Sequence, residues 1–177
     1  MVRFFTLRHI LLRLDFYVRH YGGKVTIPSR IDGKPVTVIS YNAFRECTSI
    51  TSVIIPNSVT NIYFQAFLYC SNITNVTLGN SVTRIDRLAF MDCSSLTNIT
   101  IPKSVVHIEE SVFSGCFSLT SVTFEGSINS SNFSWAAFGT MSDYIGDLRD
   151  KYLSGGIGTY TRSGAGSYDD PYIWTKQ

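Results

Sequence analysis

Four cysteines, Cys47, Cys70, Cys93 and Cys116, stand 23 residues apart, and three kinds of chemistry could be asked of them. Zinc sites of the ribbon and finger type need close Cys-x-x-Cys pairs, and the chain has none. Disulfides need thiols that point at one another, whereas equivalent positions of stacked units point alike. A packing role remains, with cysteine used as a small apolar residue whose thiol stays reduced and buried. The other reactive groups are scattered. His9, His20 and His107 lie far apart, and His107 fills a slot held by Asn61 and Arg84 in sister units. Glu109–Glu110 stand where Tyr63–Phe64 and Asp86–Arg87 stand elsewhere, which marks a variable surface. Asp169–Asp170 fall in a tail, where a solvated pair is expected and not a calcium site. The Asn-x-Ser/Thr sequences headed by Asn72, Asn75, Asn98, Asn129 and Asn132 arise from Thr and Ser that the repeat itself contains. No nucleophile–base pair or carboxylate pair emerges. The chain reads as a non-enzyme, with no catalytic, metal or cofactor site.

The elements that position these residues form a repeat. The units begin AFRECTSITSVIIP, AFLYCSNITNVTLG, AFMDCSSLTNITIP and VFSGCFSLTSVTFE, and Phe44, Phe67, Phe90 and Phe113 keep the same 23-residue spacing as the cysteines. A fixed period in this range marks a solenoid, in which each unit buries its apolar side only against its neighbours. Val53/Ile55 and their sisters alternate with period two, as in a short strand with alternate residues inside. Val59/Ile62 and their sisters give a second inward piece. In Ala-Phe-x-x-Cys, Phe and Cys three apart share one side of a helical or 3₁₀ turn. At a strand spacing of about 4.7–4.9 Å the regular core is only ~20 Å long, so the ends must supply a sizeable share of the stability.

The regular units start at residues 43, 66, 89 and 112, within an array spanning 25–136. An altered first unit covers 25–42, where five residues are inserted around Ile31–Pro35. Asp-Gly beside Pro is turn chemistry, so a tight excursion is expected there. Residues 1–24 read as an N-terminal cap strand or hairpin. Their basic, apolar start faintly resembles a secretory signal. However, Arg8, His9 and Arg13 break the apolar stretch and no small-residue cleavage site follows. Part of the fold, or the edge of a longer chain, is the reading taken. At the other end Phe138 follows Phe113 by 25 residues without a following cysteine. Residues 137–162 read as a C-terminal cap with a helix near 142–153, N-capped by Ser142, apolar at Ile145, Leu148 and Tyr152, and stopped by Gly155–Gly156. GIGTYTR (156–162) suits a closing strand. Residues 163–177 form a Gly/Ser/aromatic tail whose order depends on whether Trp174 docks.

A formal net charge of +2 argues against nucleic acid or an anionic membrane as the main partner. No run reaches the ~18 apolar residues of a membrane helix. Strand positions Ser52, Ile54, Asn75, Thr77, Asn98, Thr100, Ser121 and Thr123, beside the column Thr51, Thr74, Thr97 and Thr120, make a neutral, hydroxyl-rich face that β-propensity and solubility explain. A different rim stands out. Tyr41, Tyr63, Phe64, Leu68 and Tyr69 fall in slots that sister units fill with polar residues, and clustered exposed aromatics are how interfaces acquire anchors. The competing explanation is that they pack under the N-terminal segment or within a homo-oligomer.

The pattern IPxSVTxI…AFxxCxxLTxVxI, carried by residues 25–124, closely resembles the BspA-like, or Treponema-type, leucine-rich repeat. The opening VTIPSRIDGKPVTVI looks like the usual start of such an array, and the ending GGIGTYTR…WTKQ is similar to the ends of spirochaete members. The resemblance implies an α/β repeat solenoid: a short, right-handed leucine-rich-repeat-like stack of short strands and helical turns, strands on the concave side. It also implies a bacterial cell-surface or secreted protein that binds, and often adheres to, host or neighbouring-cell proteins. The family has no catalytic residues to carry over. Gly79, Glu125, Val112 and the degenerate fifth unit depart from the pattern. The expected function is a non-enzymatic protein-binding module with an extracellular or cell-surface protein partner. The alternative is a structural or assembly segment of a larger surface protein or a homo-oligomer.

Overall fold

A computed structural model describes residues 22–139, 148–164 and 173–177. Most of the expected N-terminal cap, and the Ser142 and Ile145 end of the expected helix, lie outside the described residues.

The chain winds as a β-solenoid of about four turns, and each turn contributes a strand to two walls. One wall holds β1 (Gly23–Thr26), β5 (Ile50–Ile54) and β7 (Asn75–Thr77), paired in parallel with Val25, Val53 and Val76 in register. It resumes with β9 (Asn98–Ile101) and β11 (Ser121–Phe124), Ile99 opposite Val122. The other wall is a sheet of two-residue strands, β4 (Val38–Ile39), β6 (Asn61–Ile62), β8 (Arg84–Ile85) and β10 (His107–Ile108), with Ile39, Ile62, Ile85 and Ile108 in register. In both walls the aligned Val and Ile point inward and are buried, which is the period-two alternation of a half-buried strand. The five inserted residues leave the stack as an antiparallel hairpin, β2 (Arg30–Ile31) and β3 (Lys34–Pro35), closed by Asp32 (φ 49°) and Gly33 (φ 74°). Two successive positive φ values are the signature of a two-residue hairpin turn.

The third side, which carries Ala-Phe-x-x-Cys, is not helical. Asn42, Gln65, Leu88 and Ser111 have φ of 56–62°, and Glu46, Tyr69 and Asp92 have φ of 58–62°, with Gly115 continuing the second series at 73°. A left-handed residue before and after each Phe interrupts any helix, so the segment forms consecutive turns. Such residues cost about 1–2 kcal/mol each outside glycine. Bonds between turns offset that cost: Asn42, Phe44 and Glu46 donate their N–H to Phe64, Ala66 and Leu68 O at 3.2, 2.7 and 2.7 Å, and Gln65, Phe67 and Tyr69 do the same one turn on. The helical share of the expected α/β architecture is therefore small. Among the described residues it is confined to a 3₁₀ turn at Ser130–Asn132 and to α1 (Leu148–Gly155).

Inside, the Phe rings form a stack. Centroid distances run 4.9, 5.1 and 5.6 Å from Phe44 to Phe113, planes within 4°. Phe138 extends the stack at 4.9 Å and 18°. Beyond β11 the sheet turns antiparallel, to β12 (Gly158–Ser163) and then β13 (Ile173–Lys176). Trp174 is docked and buried, as are Leu148 and Tyr152 of α1. The Tyr152 hydroxyl donates to Gly126 O at 2.9 Å and accepts from Ile128 N at 2.7 Å. Its ring lies 4.3 Å from that of Phe124.

Candidate interaction rim

The chain leaving each two-residue strand exposes two consecutive side chains before it enters the turn column. In successive turns these are Ser40–Tyr41, Tyr63–Phe64, Asp86–Arg87 and Glu109–Glu110. The last three slots are fixed by the same backbone bond: Tyr63, Asp86 and Glu109 N donate to the Ile one turn earlier, at 2.9, 2.9 and 3.1 Å. The rim therefore changes chemistry along the stack while its geometry stays constant.

At the N-terminal end it is aromatic. Tyr41 and Tyr63 stack at 5.0 Å with an 11° interplanar angle, and Tyr41 is 61% exposed. Tyr63 and Phe64 are half-buried, and Tyr69 is exposed on a left-handed backbone position. Leu68 does not belong with them. It is 3% exposed, and its slot holds buried Ser114 and half-buried Met91 in later turns, so this position packs into the stack.

Further along the rim is ionic. Arg84 donates from Nε to Asp86 at 2.5 Å and from Nη2 to Glu109 at 2.7 Å, while Arg87 lies 3.4 Å from Glu110. The hydrogen bond to Asp86 pushes the Arg84 guanidinium's pKa up. Ser134 N donates to Ile108 O at 2.9 Å, repeating the bond of Glu109, so Trp135 occupies the slot of Tyr41 and Phe64 one turn past Glu110. It is 59% exposed. Phe117, 57% exposed, stands where Thr48, Ser71 and Ser94 stand in other turns. Sequence reasoning passed over both, although an aromatic in a polar slot was the signal it used for Tyr41.

The cysteine column is interior. All four thiols are buried and none is in a disulfide. Those of Cys70, Cys93 and Cys116 donate to Phe44, Phe67 and Phe90 O at 2.9, 3.3 and 3.3 Å. Burial pushes Cys70 and Cys116 up to about 12 and Cys93 well above its ordinary value, so these thiols stay protonated and unreactive. The Thr column serves the backbone: Thr74, Thr97 and Thr120 Oγ1 bond to the Thr O one turn back at 3.1, 3.5 and 3.3 Å. A second column, Thr37, Thr60 and Thr83, does likewise on the short-strand wall at 3.2 Å per step. Among the described residues no group of three His, Cys, Asp or Glu side chains is placed to hold a metal ion, and no helix is long and apolar enough to cross a membrane.

A stacked β-solenoid with a 23-residue turn, an internal Phe ladder and a variable outer rim defines the class as a leucine-rich-repeat solenoid. The BspA type leucine-rich repeat region matches residues 23–141 in six copies, and the chain belongs to that family. The solved structure of the T. pallidum leucine-rich repeat protein TpLRR is similar at 38% identity and a TM-score of 0.55, over 56% of this chain and 46% of that one. A leucine-rich repeat protein from Bacteroides capillosus matches at 36% identity and 0.54, over 58% of this chain and 77% of that one. The pneumococcal vaccine antigen PcpA matches at 28% identity and 0.52, over 60% of this chain and 29% of that one. The aligned part is thus less than half the length of TpLRR and less than a third of PcpA. Comparison with curated proteins returned no match.

Proposed function

We propose that this chain is a non-enzymatic protein-binding module displayed at the cell surface or secreted, and that Tyr41, Tyr63, Phe64 and Tyr69 anchor its protein partner. The observation that carries the reading is the Tyr41–Tyr63 stack: two rings held parallel at 5.0 Å on a surface where Tyr41 is 61% exposed. Aromatic side chains fixed in one conformation lose little entropy on binding and dominate interface energetics. The ion pairs of Arg84 and Arg87 beside them suit a polar border. Relatedness to a vaccine antigen and to other bacterial leucine-rich repeat proteins supports placement outside the cell and adhesion to host or neighbouring-cell proteins. Right-handed winding, with residues 137–162 as a terminal cap, belongs to the same reading. The test is capture of extracellular-matrix and cell-surface proteins by the wild type and by Tyr41→Ser/Tyr69→Ser. Both residues are exposed, so the fold should survive while capture is lost. Undiminished capture by the double variant refutes the assignment of the rim.

A second reading is favoured by one observation. Among the described residues, β13 has no strand on its outer side, and such an edge is a template for pairing with another chain. The domain would then be a segment of a larger surface assembly or a homo-oligomer, which a solution mass at several concentrations decides.

A further inference from the structure

The wall made of β1, β5, β7, β9 and β11 is not continuous, because β7 and β9 do not pair. Elsewhere the turns are stitched: Ile27 N donates to Ile54 O at 3.0 Å and Ile55 N to Thr77 O at 2.9 Å. Leu78, next in that series, makes no such bond among the described residues. Likewise Thr74 and Thr120 N reach the Thr one turn back at 2.9 Å, whereas Thr97 reaches Thr74 O only through its hydroxyl, at 3.5 Å. A Cβ at Gly79 would stand 2.4 Å from Pro56 O, so the β7 turn lies close against the β5 turn, and the gap falls on its other side. The core registers the opening: Val76 and Leu78 are 6% and 7% exposed, where Val53, Ile55, Ile99 and Ile101 are at 2% or less.

The gap is a cleft of about 280 Å³ walled by Asn75 and Thr77 on β7 and Asn98 and Thr100 on β9, with Glu125 also in the lining. We propose that this cleft binds a neutral sugar ring through adjacent hydroxyls. Each lining carboxamide and hydroxyl both donates and accepts, as does every sugar hydroxyl, while the Glu125 carboxylate offers two acceptor oxygens to a neighbouring pair of O–H groups. Val76, Leu78 and Pro102 contribute apolar surface to the lining, suited to the C–H face of a pyranose. No lysine or arginine lines the cleft, and the carboxylate repels anions, so a phosphate or sulfate is not the occupant. Asn75, Thr77, Asn98 and Thr100 are exposed, so the ring lies across the outer face of the two strands and not between their backbones. A peptide strand pairing with both would have to enter between them and needs two sheet spacings, about 9.5 Å, whereas β7 and β9 keep Cα pairs within 8 Å. The volume lies just below the range of drug-sized pockets, which matches one ring and not a buried oligomer.

The test is titration of ¹⁵N-labelled protein with glucose, galactose, mannose, N-acetylglucosamine and glucuronate, following the side-chain amides of Asn75 and Asn98. At least one neutral sugar should give saturable shifts at those amides with Kd on the order of 1–10 mM. Glu125→Gln should weaken that binding about tenfold, and Asn75→Ala/Asn98→Ala should abolish it as seen by shifts at neighbouring Thr77 and Thr100 backbone amides. Tyr41→Ser should leave it unchanged, so a failure here is separate from a failure of the rim. Three results overturn the proposal: no saturable shift with any neutral sugar, tighter binding of glucuronate, or shifts that persist in the Asn75→Ala/Asn98→Ala protein.

Discussion

Raising the pH above about 9 should destabilise this protein through its buried thiols, and replacing one of them should remove a calculable part of that sensitivity. Cys70 titrates at about 12 in the fold against an ordinary value of 9.0, and Cys116 likewise, because burial disfavours the thiolate. In the unfolded chain the same thiols ionise near the ordinary value. Below that pH both states carry the proton and stability does not depend on it. Between about 9 and about 12 the unfolded state has released a proton that the folded state still holds, so stability falls as pH rises, by about 1.4 kcal/mol per pH unit per thiol. Over the whole interval this is about 4 kcal/mol for Cys70 and as much again for Cys116, a large part of the 5–15 kcal/mol that holds a typical domain. The assay is urea unfolding under reducing conditions from about pH 8 to about pH 11, comparing wild type with Cys70→Ala. The variant starts less stable, because a buried group has been deleted. The gap between the two should then shrink by about 1.4 kcal/mol for each pH unit above 9. Two parallel curves would refute the reasoning, since they would mean that Cys70 ionises as readily in the fold as outside it.

Phe90→Ala should cost about 3–5 kcal/mol in the same assay at neutral pH, because its ring is fully buried and stacked between Phe67 at 5.1 Å and Phe113 at 5.6 Å. Tyr152→Phe should cost about 1–3 kcal/mol, since it removes the acceptor for Ile128 N and the donor to Gly126 O while the ring still packs; a thermal melt reads it. Arg84→Ala should cost less than about 1 kcal/mol despite two carboxylate partners, because the side chain is 41% exposed and solvent screens such pairs. About 1 M salt should erase the difference.

The repeat was legible because its columns carry the same residue type at the same spacing, and burial is the physical reason for that sameness: a Phe ladder leaves little choice in the slot of Phe67 or Phe90. The turn column was misread as helical because Phe and Cys three apart are compatible with both conformations. The left-handed residues that decide the matter include Asn42, Asp92 and Gly115, whose types tolerate that backbone, but also Leu88 and Tyr69, whose types do not advertise it. Leu68 was placed in the rim because Arg45 and Ser114 occupy its slot. Ser114 is itself buried, so polarity in a sister slot was no measure of exposure. Trp135 was missed for a different reason: the final turn is two residues longer, which shifts it out of the 23-residue register. Gly79 was visible as a departure from Pro56 and Pro102, but the cleft depends on how closely two backbones approach, and one residue type does not disclose that.

The two places where the count departs from 23 show how this molecule can change over generations. Five surplus residues leave the stack as the β2–β3 hairpin, and the two surplus residues of the last turn fall in the stretch that holds the 3₁₀ turn Ser130–Asn132. Surplus chain can be looped outward, but a residue lost from within a regular turn has no such outlet, since every Phe, Cys and Thr downstream would leave its column. Outside the β7–β9 gap, whole turns are interchangeable at their seams, because each offers the same donors and accepts at the same carbonyls as its neighbour. Length variation by gain or loss of complete 23-residue units, through exchange between sister copies in the gene, therefore preserves the interior while it reshuffles the order of aromatic and ionic side chains on the rim. The same regularity that makes the core uninformative about recognition is what leaves the rim free to diversify.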